Sequence, residues 1–289
     1  MYVVITGASG LIGRALTERL VTSGHTVSAL SRPADWDPSA RTIDTAKLVG
    51  ADAVVHLAGV GIADARWTDA QKRAIRESRT EGTSLIAETL AGLEGGPKVL
   101  ISASAIGWYG ETGDRTVDES EPAGTDFVAS IASDWEASTQ PAVAAGIRVV
   151  LARSGVVLSA QGGALAKQLP FFKFGLGGKS GSGRQWLSWI SIDDEVGALE
   201  WLLEHDIAGP VNLVAPEPVR NADFATALGH ALHRATFMIP MIGPRALYGR
   251  ELADSLLLTS TRVEPKVLTD HGFTFAHPTL DGALSDLLR

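Results

Sequence analysis

Glycines recur at Gly7, Gly10 and Gly13 in the run Gly7-Ala8-Ser9-Gly10-Leu11-Ile12-Gly13, directly after the apolar stretch Tyr2 to Thr6. A turn of this spacing between a strand and a helix offers phosphate a set of peptide N–H groups and the positive end of a helix dipole. The first glycine permits the tight turn, the second lets backbone approach a pyrophosphate, and the third lets the helix pack on the strand. The pattern predicts dinucleotide binding, with Ser9, Leu11 and Ile12 lining the turn. The second strand ends Leu30-Ser31-Arg32. NAD sites usually place Asp or Glu there, whereas a hydroxyl and a guanidinium suit a 2′-phosphate. Ser31 and Arg32 therefore predict NADP(H), with Asp35 or Asp37 on the ribose as the alternative. Leu57, Ala58 and Gly59 close the third strand with small side chains that leave room for the adenine ribose. Further along, Lys179, Arg184 and Gln185 sit among glycines and serines, a donor-rich loop able to hold phosphate or carboxylate. Trp186 and Trp189 would offer stacking faces for a ring; the bland alternative is a positive surface loop anchored by two core tryptophans.

The elements that must position these groups alternate strand and helix. A helical pattern from Leu11 to about Ser23 stops at Gly24, and apolar runs follow at Thr26 to Leu30, Asp52 to Leu57, Lys98 to Ser102 and Ile147 to Arg153. A helix is expected around Ser130 to Ala145, and others at Asp193 to Glu204, Asn221 to Leu232, Pro244 to Leu257 and Thr279 to Leu288. Such alternation predicts an α/β, Rossmann-type doubly wound parallel sheet. The expected division is a dinucleotide domain over 1–160 and a smaller mixed substrate lobe over 161–289.

Composition narrows the rest. The 289 residues carry a net charge of -8, so no overall basic surface argues for nucleic acid, although local basic clusters escape a net count. With no cysteine, disulfides, thiolate zinc sites and a cysteine nucleophile are excluded; no histidine pair has zinc-helix spacing, and no metal is expected. No apolar stretch is long enough to span a bilayer, and no signal peptide precedes the first strand. The expectation is a cytoplasmic protein with a small-molecule partner, neither nucleic acid nor membrane, and a homodimer as the default assembly.

With these residues in place, the chain resembles the extended short-chain dehydrogenases, and within them an uncharacterised epimerase-like family with a short C-terminal extension. The resemblance runs through the glycine turn, Ser31-Arg32, Leu57-Ala58-Gly59, Arg66-Trp67, Ser78-Arg79 and Ser102-Ala103-Ser104-Ala105 to Tyr109-Gly110. It continues through Asp134-Trp135-Glu136, Arg153-Ser154-Gly155, Gly181 to Trp186, Ser188-Trp189-Ile190 with Asp193-Asp194, and an extension of about 240–289. It implies that Arg79 lines the cofactor site and that Arg153 belongs with it. It also implies a Ser, Tyr and Lys for proton exchange during hydride transfer. Ser104 fits the serine and would polarise the substrate oxygen. The Tyr and Lys places fall near Val128 and Ala132, which carry no proton. Tyr109 could supply a phenol from the loop, with a packed aromatic as its alternative. Asp134 or Glu136 could act as a carboxylate, though a helix-surface carboxylate is usually solvated. Asp193 and Asp194 could orient substrate or cap a helix. Two functions are compatible with this: an NADP(H)-dependent oxidoreductase or epimerase-like enzyme on a small, anionic hydroxyl or carbonyl substrate, or a catalytically weak NADP(H) sensor or scaffold.

Overall fold

Val3, Val4 and Ile5 are wholly buried, as are Ala53, Val54 and Val55, and again Leu100 and Ile101. Consecutive apolar residues of this kind need cover on both faces, which inner strands of a helix-flanked sheet receive. The computed structural model describes residues 1–289 and forms a six-stranded parallel sheet from them. Five strands come from the first half: β1 (Tyr2–Thr6), β2 (Thr26–Leu30), β3 (Ala53–His56), β4 (Val99–Ala105) and β5 (Arg148–Ser154). The chain then leaves the sheet. β6 (Val156–Ser159) pairs in parallel with β9 (Trp189–Ser191), and between them lie β7 (Gly178–Ser180) and β8 (Trp186–Leu187). It returns as β10 (Gly209–Leu213), leaves again as β11 (Val219–Arg220), which pairs antiparallel with β8, and as β12 (Phe237–Ile239), which pairs with β7. The sheet order is β10-β5-β4-β3-β1-β2.

Helices cover both faces. α1 (Leu11–Thr22) and α6 (Ile192–Glu204) bury Leu16, Leu20, Leu199 and Leu202 against one face. α2 (Asp69–Gly92) and α4 (Gln140–Ala144) bury Leu85, Ile86, Leu90 and Ala142 against the other, with α3 (Phe127–Ala137) beside α2. Each such leucine contributes about 1.5–3 kcal/mol by leaving water. A third core joins α5 (Gly163–Lys173), α7 (Asn221–Ala231) and α11 (Leu280–Leu287), with Trp189 and Phe224 inside it. α8 (Ile242–Tyr248), α9 (Arg250–Leu257) and α10 (Lys266–Asp270) complete the chain.

Two expectations change. The helix expected over 130–145 is two, α3 and α4, because Pro141 lacks the N–H and ring space a continuous helix needs, and Thr139 Oγ1 instead donates to the Glu136 carbonyl at 2.7 Å. The helix expected over 244–257 breaks at Gly249, whose φ of 85° no helix contains. Beyond residue 160, β10 pairs with β5 in the main sheet and α6 packs on its face.

Candidate functional site

All six strands point their C-terminal ends the same way, and the register sets Thr6 level with His56 and Ser102, and Ser104 level with Arg153 and Asn212. The glycine turn follows β1 at this edge, Ser31 and Arg32 follow β2, Leu57 to Gly59 follow β3, and Ser104 lies at the end of β4. At β1, Gly7 has φ 69°, and a Cβ on Gly13 would lie 2.2 Å from the Gly7 carbonyl oxygen, so the turn closes only with hydrogen at both positions. Gly10 caps α1 without any side-chain bond. The first amide to turn back is Arg14 N–H, to the Gly10 carbonyl at 3.0 Å, which leaves the Leu11, Ile12 and Gly13 amides without an acceptor in the chain. Three unpaired donors at a helix start form a cradle for anionic phosphate.

At β2, Asp35 is turned away from a ribose role. Its carboxylate accepts from the Ser31 amide at 2.8 Å and pairs with Lys47 at 2.7 Å, and these partners hold its pKa below the usual carboxylate range. The exposed Ser31 and Arg32 side chains are left at the strand end, with the Arg32 guanidinium 5.8 Å from the Trp36 ring centre. At β3, the Leu57 amide is tied to Thr6, and Gly59 lies in van der Waals reach of Arg79. Arg79 donates to the Val60 and Ile75 carbonyls and stacks over Trp135 at 4.9 Å. Burial lowers its pKa to about 10, and its partners are neutral, so it is a half-buried cation beside Gly59 with no carboxylate of its own. The donor set and the glycine clearances fit an adenine dinucleotide.

Beyond β4 lies a buried polar network that the sequence did not reveal. Ser104 Oγ donates to Glu136 Oε1 at 2.6 Å. Arg153 grips the same carboxylate with Nε at 2.8 Å and Nη2 at 2.9 Å, their side chains 3% and 6% exposed. Its Nη1 donates to the Tyr109 oxygen at 3.0 Å, and Tyr109 in turn donates to Asn212 Oδ1 at 2.7 Å. Arg153 commits three of its five N–H donors to Glu136 and Tyr109 and holds the network together. Tyr109, with both hydrogen-bonding directions filled and its pKa pushed up to about 12 by burial, is the packed aromatic of the bland alternative. Glu136 is not a solvated helix carboxylate, whereas Asp134 is paired at the surface with Arg76.

The places of the missing phenol and amine are filled by packing. Val128 lies so close to Gly107 that an added Cβ would come within 2.5 Å of its Cγ1, and Ala132 is 3% exposed. Ser104 therefore faces the edge with one fixed property. Its proton goes to a carboxylate that is itself held by Arg153, so what it presents to an incoming group is lone pairs. It can accept from a hydroxyl, and it is not set to polarise a carbonyl.

In the lobe, Gln185 Nε2 donates to the Ser180 and Leu257 carbonyls and braces the loop, leaving Lys179 and Arg184 as its free cations. Trp186 is flanked by the guanidiniums of Arg220 at 4.1 Å and Arg262 at 4.3 Å, while its Nε1 donates to Asp114 at 3.0 Å. Trp189 is wholly buried and cannot stack on a ligand. Asp194 is also buried and accepts the Ala276 and His277 amides, and the α6 cap is Ser191. Arg220, Arg262 and Asp114 lie far from Trp186 along the chain, so no local pattern signals them.

The model of the NAD dependent epimerase/dehydratase family matches residues 3–214, and that of a domain of unknown function (DUF1731) matches 239–287. The epimerase family protein Mb2239 of Mycobacterium bovis is 47% identical, covering 98% of this chain and 96% of its own length. The human epimerase family protein SDR39U1 is 35% identical over both full lengths. The crystal structure of human SDR39U1 (isoform 2) with NADPH superposes with a TM-score of 0.91 at 33% identity, covering 99% of each chain. A UDP-glucose 4-epimerase from Thermus thermophilus in complex with NAD shares the fold at a TM-score of 0.77 and 19% identity, covering 100% of this chain and 99% of its own.

Proposed function

The chain belongs to the NAD dependent epimerase/dehydratase family, and from that premise we propose that it is an NADP(H)-dependent oxidoreductase acting on a small, anionic substrate through a hydroxyl group. The observation that carries the cofactor choice is Asp35. Both acids that could have taken the ribose hydroxyls are engaged, Asp35 with Lys47 and the Ser31 amide and Asp37 with the Ser39 amide, and Ser31 and Arg32 are left for a 2′-phosphate. The human relative, solved with NADPH, supports the same choice. Gly7, Gly10 and Gly13 with the Ser9, Leu11 and Ile12 backbone would hold the pyrophosphate, Leu57, Ala58 and Gly59 would clear the adenosine, and Arg79 would meet its charge.

When bound, the cofactor supplies hydride donation or acceptance. The protein's own part begins at Ser104, which accepts the substrate hydroxyl proton while passing its own to Glu136. Arg153 keeps Glu136 aligned for this. Lys179 and Arg184, on the loop that Gln185 braces, would hold the anionic group of the substrate, and Trp186 would serve as the platform on which the Arg220 and Arg262 guanidiniums stack.

A second reading, an NADP(H) sensor or scaffold, draws on the tight packing of Val128 and Ala132 where a proton-carrying pair is expected. Two measurements decide. Calorimetric titration is expected to give tighter binding of NADPH than of NADH, with Arg32→Ala weakening NADPH by about tenfold or more, the worth of one charge-assisted bond, and sparing NADH. Equal affinities in the wild type defeat the cofactor assignment. Incubation of the protein with NADP⁺ and a pool of hydroxy acids should raise absorbance at the nicotinamide band, and Ser104→Ala should stop it without changing cofactor affinity. Tight binding with no turnover in any pool would favour the sensor.

A further inference from the structure

Carboxylates are missing from two long stretches: none occurs between Glu136 and Asp193, and none between Asp223 and Glu251. In a chain with 33 acidic residues and a net charge of -8, that is segregation of charge. The fold joins the two stretches. β7 pairs with β12, placing Gly178 beside Phe237, and Arg234 Nε donates to the Lys173 carbonyl at 2.9 Å. The joined surface exposes Lys167, Lys173 and Arg234. Among them stand Phe171, Phe174, Leu176, Phe237, Met238 and Ile242, exposed by 53, 81, 68, 63, 60 and 79%. Nine of the thirteen large apolar side chains left exposed fall between Phe171 and Leu256, so the concentration is local rather than the usual scatter.

We propose that this face, formed by the end of α5, β7, β12 and the start of α8, docks on an anionic lipid bilayer. The exposed apolar side chains stand at a helix end and on a two-stranded ribbon, which suits insertion into a soft surface. Aromatic and aliphatic tips beside Lys and Arg match the acyl and headgroup levels of such a surface. Pairing with a second copy about a two-fold axis would bring the same cations together, with no carboxylate on the face to offset them. The acidic remainder of the molecule is repelled by the same lipid and fixes the orientation. No helix is long and apolar enough to cross a membrane, so the contact is peripheral. α5 links this face to the cofactor turn. It begins at Gly163, where an added Cβ would lie 3.2 Å from Leu11, and its 11 residues run about 16 Å to the exposed phenylalanines. Docking would hold the mouth of the site about one helix length from lipid, within reach of an amphiphilic substrate. The docking itself does not depend on the cofactor reading.

Sedimentation with phosphatidylcholine vesicles, with and without phosphatidylserine, tests it. The wild type is expected to pellet with the mixed vesicles at low salt and to be released at high salt. Phe174→Ser with Phe237→Ser should weaken that partition by about tenfold, from lost apolar insertion. Lys167→Glu with Lys173→Glu should remove the preference for phosphatidylserine. Both variants should keep the wild-type melting temperature and NADPH affinity. A wild type that stays in the supernatant overturns the proposal, as do folded variants that pellet like it. A dimer in light scattering that the Phe174→Ser/Phe237→Ser change dissociates would assign the face to self-association and overturn it equally.

Discussion

Replacing Glu195 by glutamine should make folding stability rise with pH, where that of the wild type stays nearly flat between about pH 4.5 and 6.5. Glu195 is 1% exposed, its Oε1 accepts from Ser154 Oγ at 2.6 Å, and its Oε2 has no partner. Burial raises its pKa from 4.5 to about 7. The folded protein therefore binds a proton that the unfolded chain has released, and stability present below pH 4.5 is lost as pH rises to about 7. His56 acts in the opposite sense. It is wholly buried with Nε2 unpartnered, and burial lowers its pKa from 6.5 to about 4, so its contribution is present above pH 6.5 and lost as pH falls towards 4. Each shift is worth roughly 3 kcal/mol, and the two slopes largely cancel over their shared window. In Glu195→Gln only the His56 slope remains, so the variant should gain about 3 kcal/mol on the wild type between pH 4.5 and 8. Denaturant titrations at pH 5, 6, 7 and 8 read this directly. Parallel curves for variant and wild type would show that Glu195 is ionised in the folded state.

Arg153→Met should be the most destabilising single change at the sheet edge. It leaves the Glu136 carboxylate buried with only the Ser104 hydroxyl and removes a donor from Tyr109. Loss of one member of a buried pair costs about 3–5 kcal/mol, because the remaining charge has neither water nor a counter-charge. The double change Arg153→Met with Glu136→Gln should recover a large part of that loss, since no charge is then stranded. If the double variant is as unstable as the sum of the two single changes, the pair is not coupled and Glu136 has another partner. The same variants bear on the chemistry. With Glu136→Gln alone, Ser104 loses its charged acceptor, and its hydroxyl is free to donate outward.

The parts of this molecule legible in its sequence are those whose physics is local. The glycine turn announces itself because a positive φ at Gly7 and the closeness of Gly13 to the Gly7 carbonyl are satisfied within seven residues. The buried strands announce themselves by unbroken apolar runs. The site is less readable where a residue's role depends on what packs against it. Glu136 looks like any helix carboxylate until Arg153, 17 positions on, is folded against it. Trp189 reads as a stacking face and Asp194 as an acid that could orient substrate, yet β9 and the start of α6, which hold them, are covered by the extension. The helix breaks at Pro141 and Gly249 are readable in principle, since neither residue continues a helix. The return of the chain to the sheet at β10 is not, because Gly209, Pro210 and Asn212 break up its apolar run.

The C-terminal extension is sewn into the rest by backbone amides. Glu119 accepts from the amides of Asn212 and Val267, Asp194 from those of Ala276 and His277, and Ser188 bonds both Thr261 and Val263. On a ribosome making this chain from its first residue, those carboxylates emerge long before the amides they are meant to bind. The nascent sheet must wait, with buried acids unmatched, until the extension leaves the exit tunnel. Synthesis of this protein should therefore lean on chaperones once the sheet has emerged, and truncation just before the extension should yield aggregates instead of a smaller folded protein.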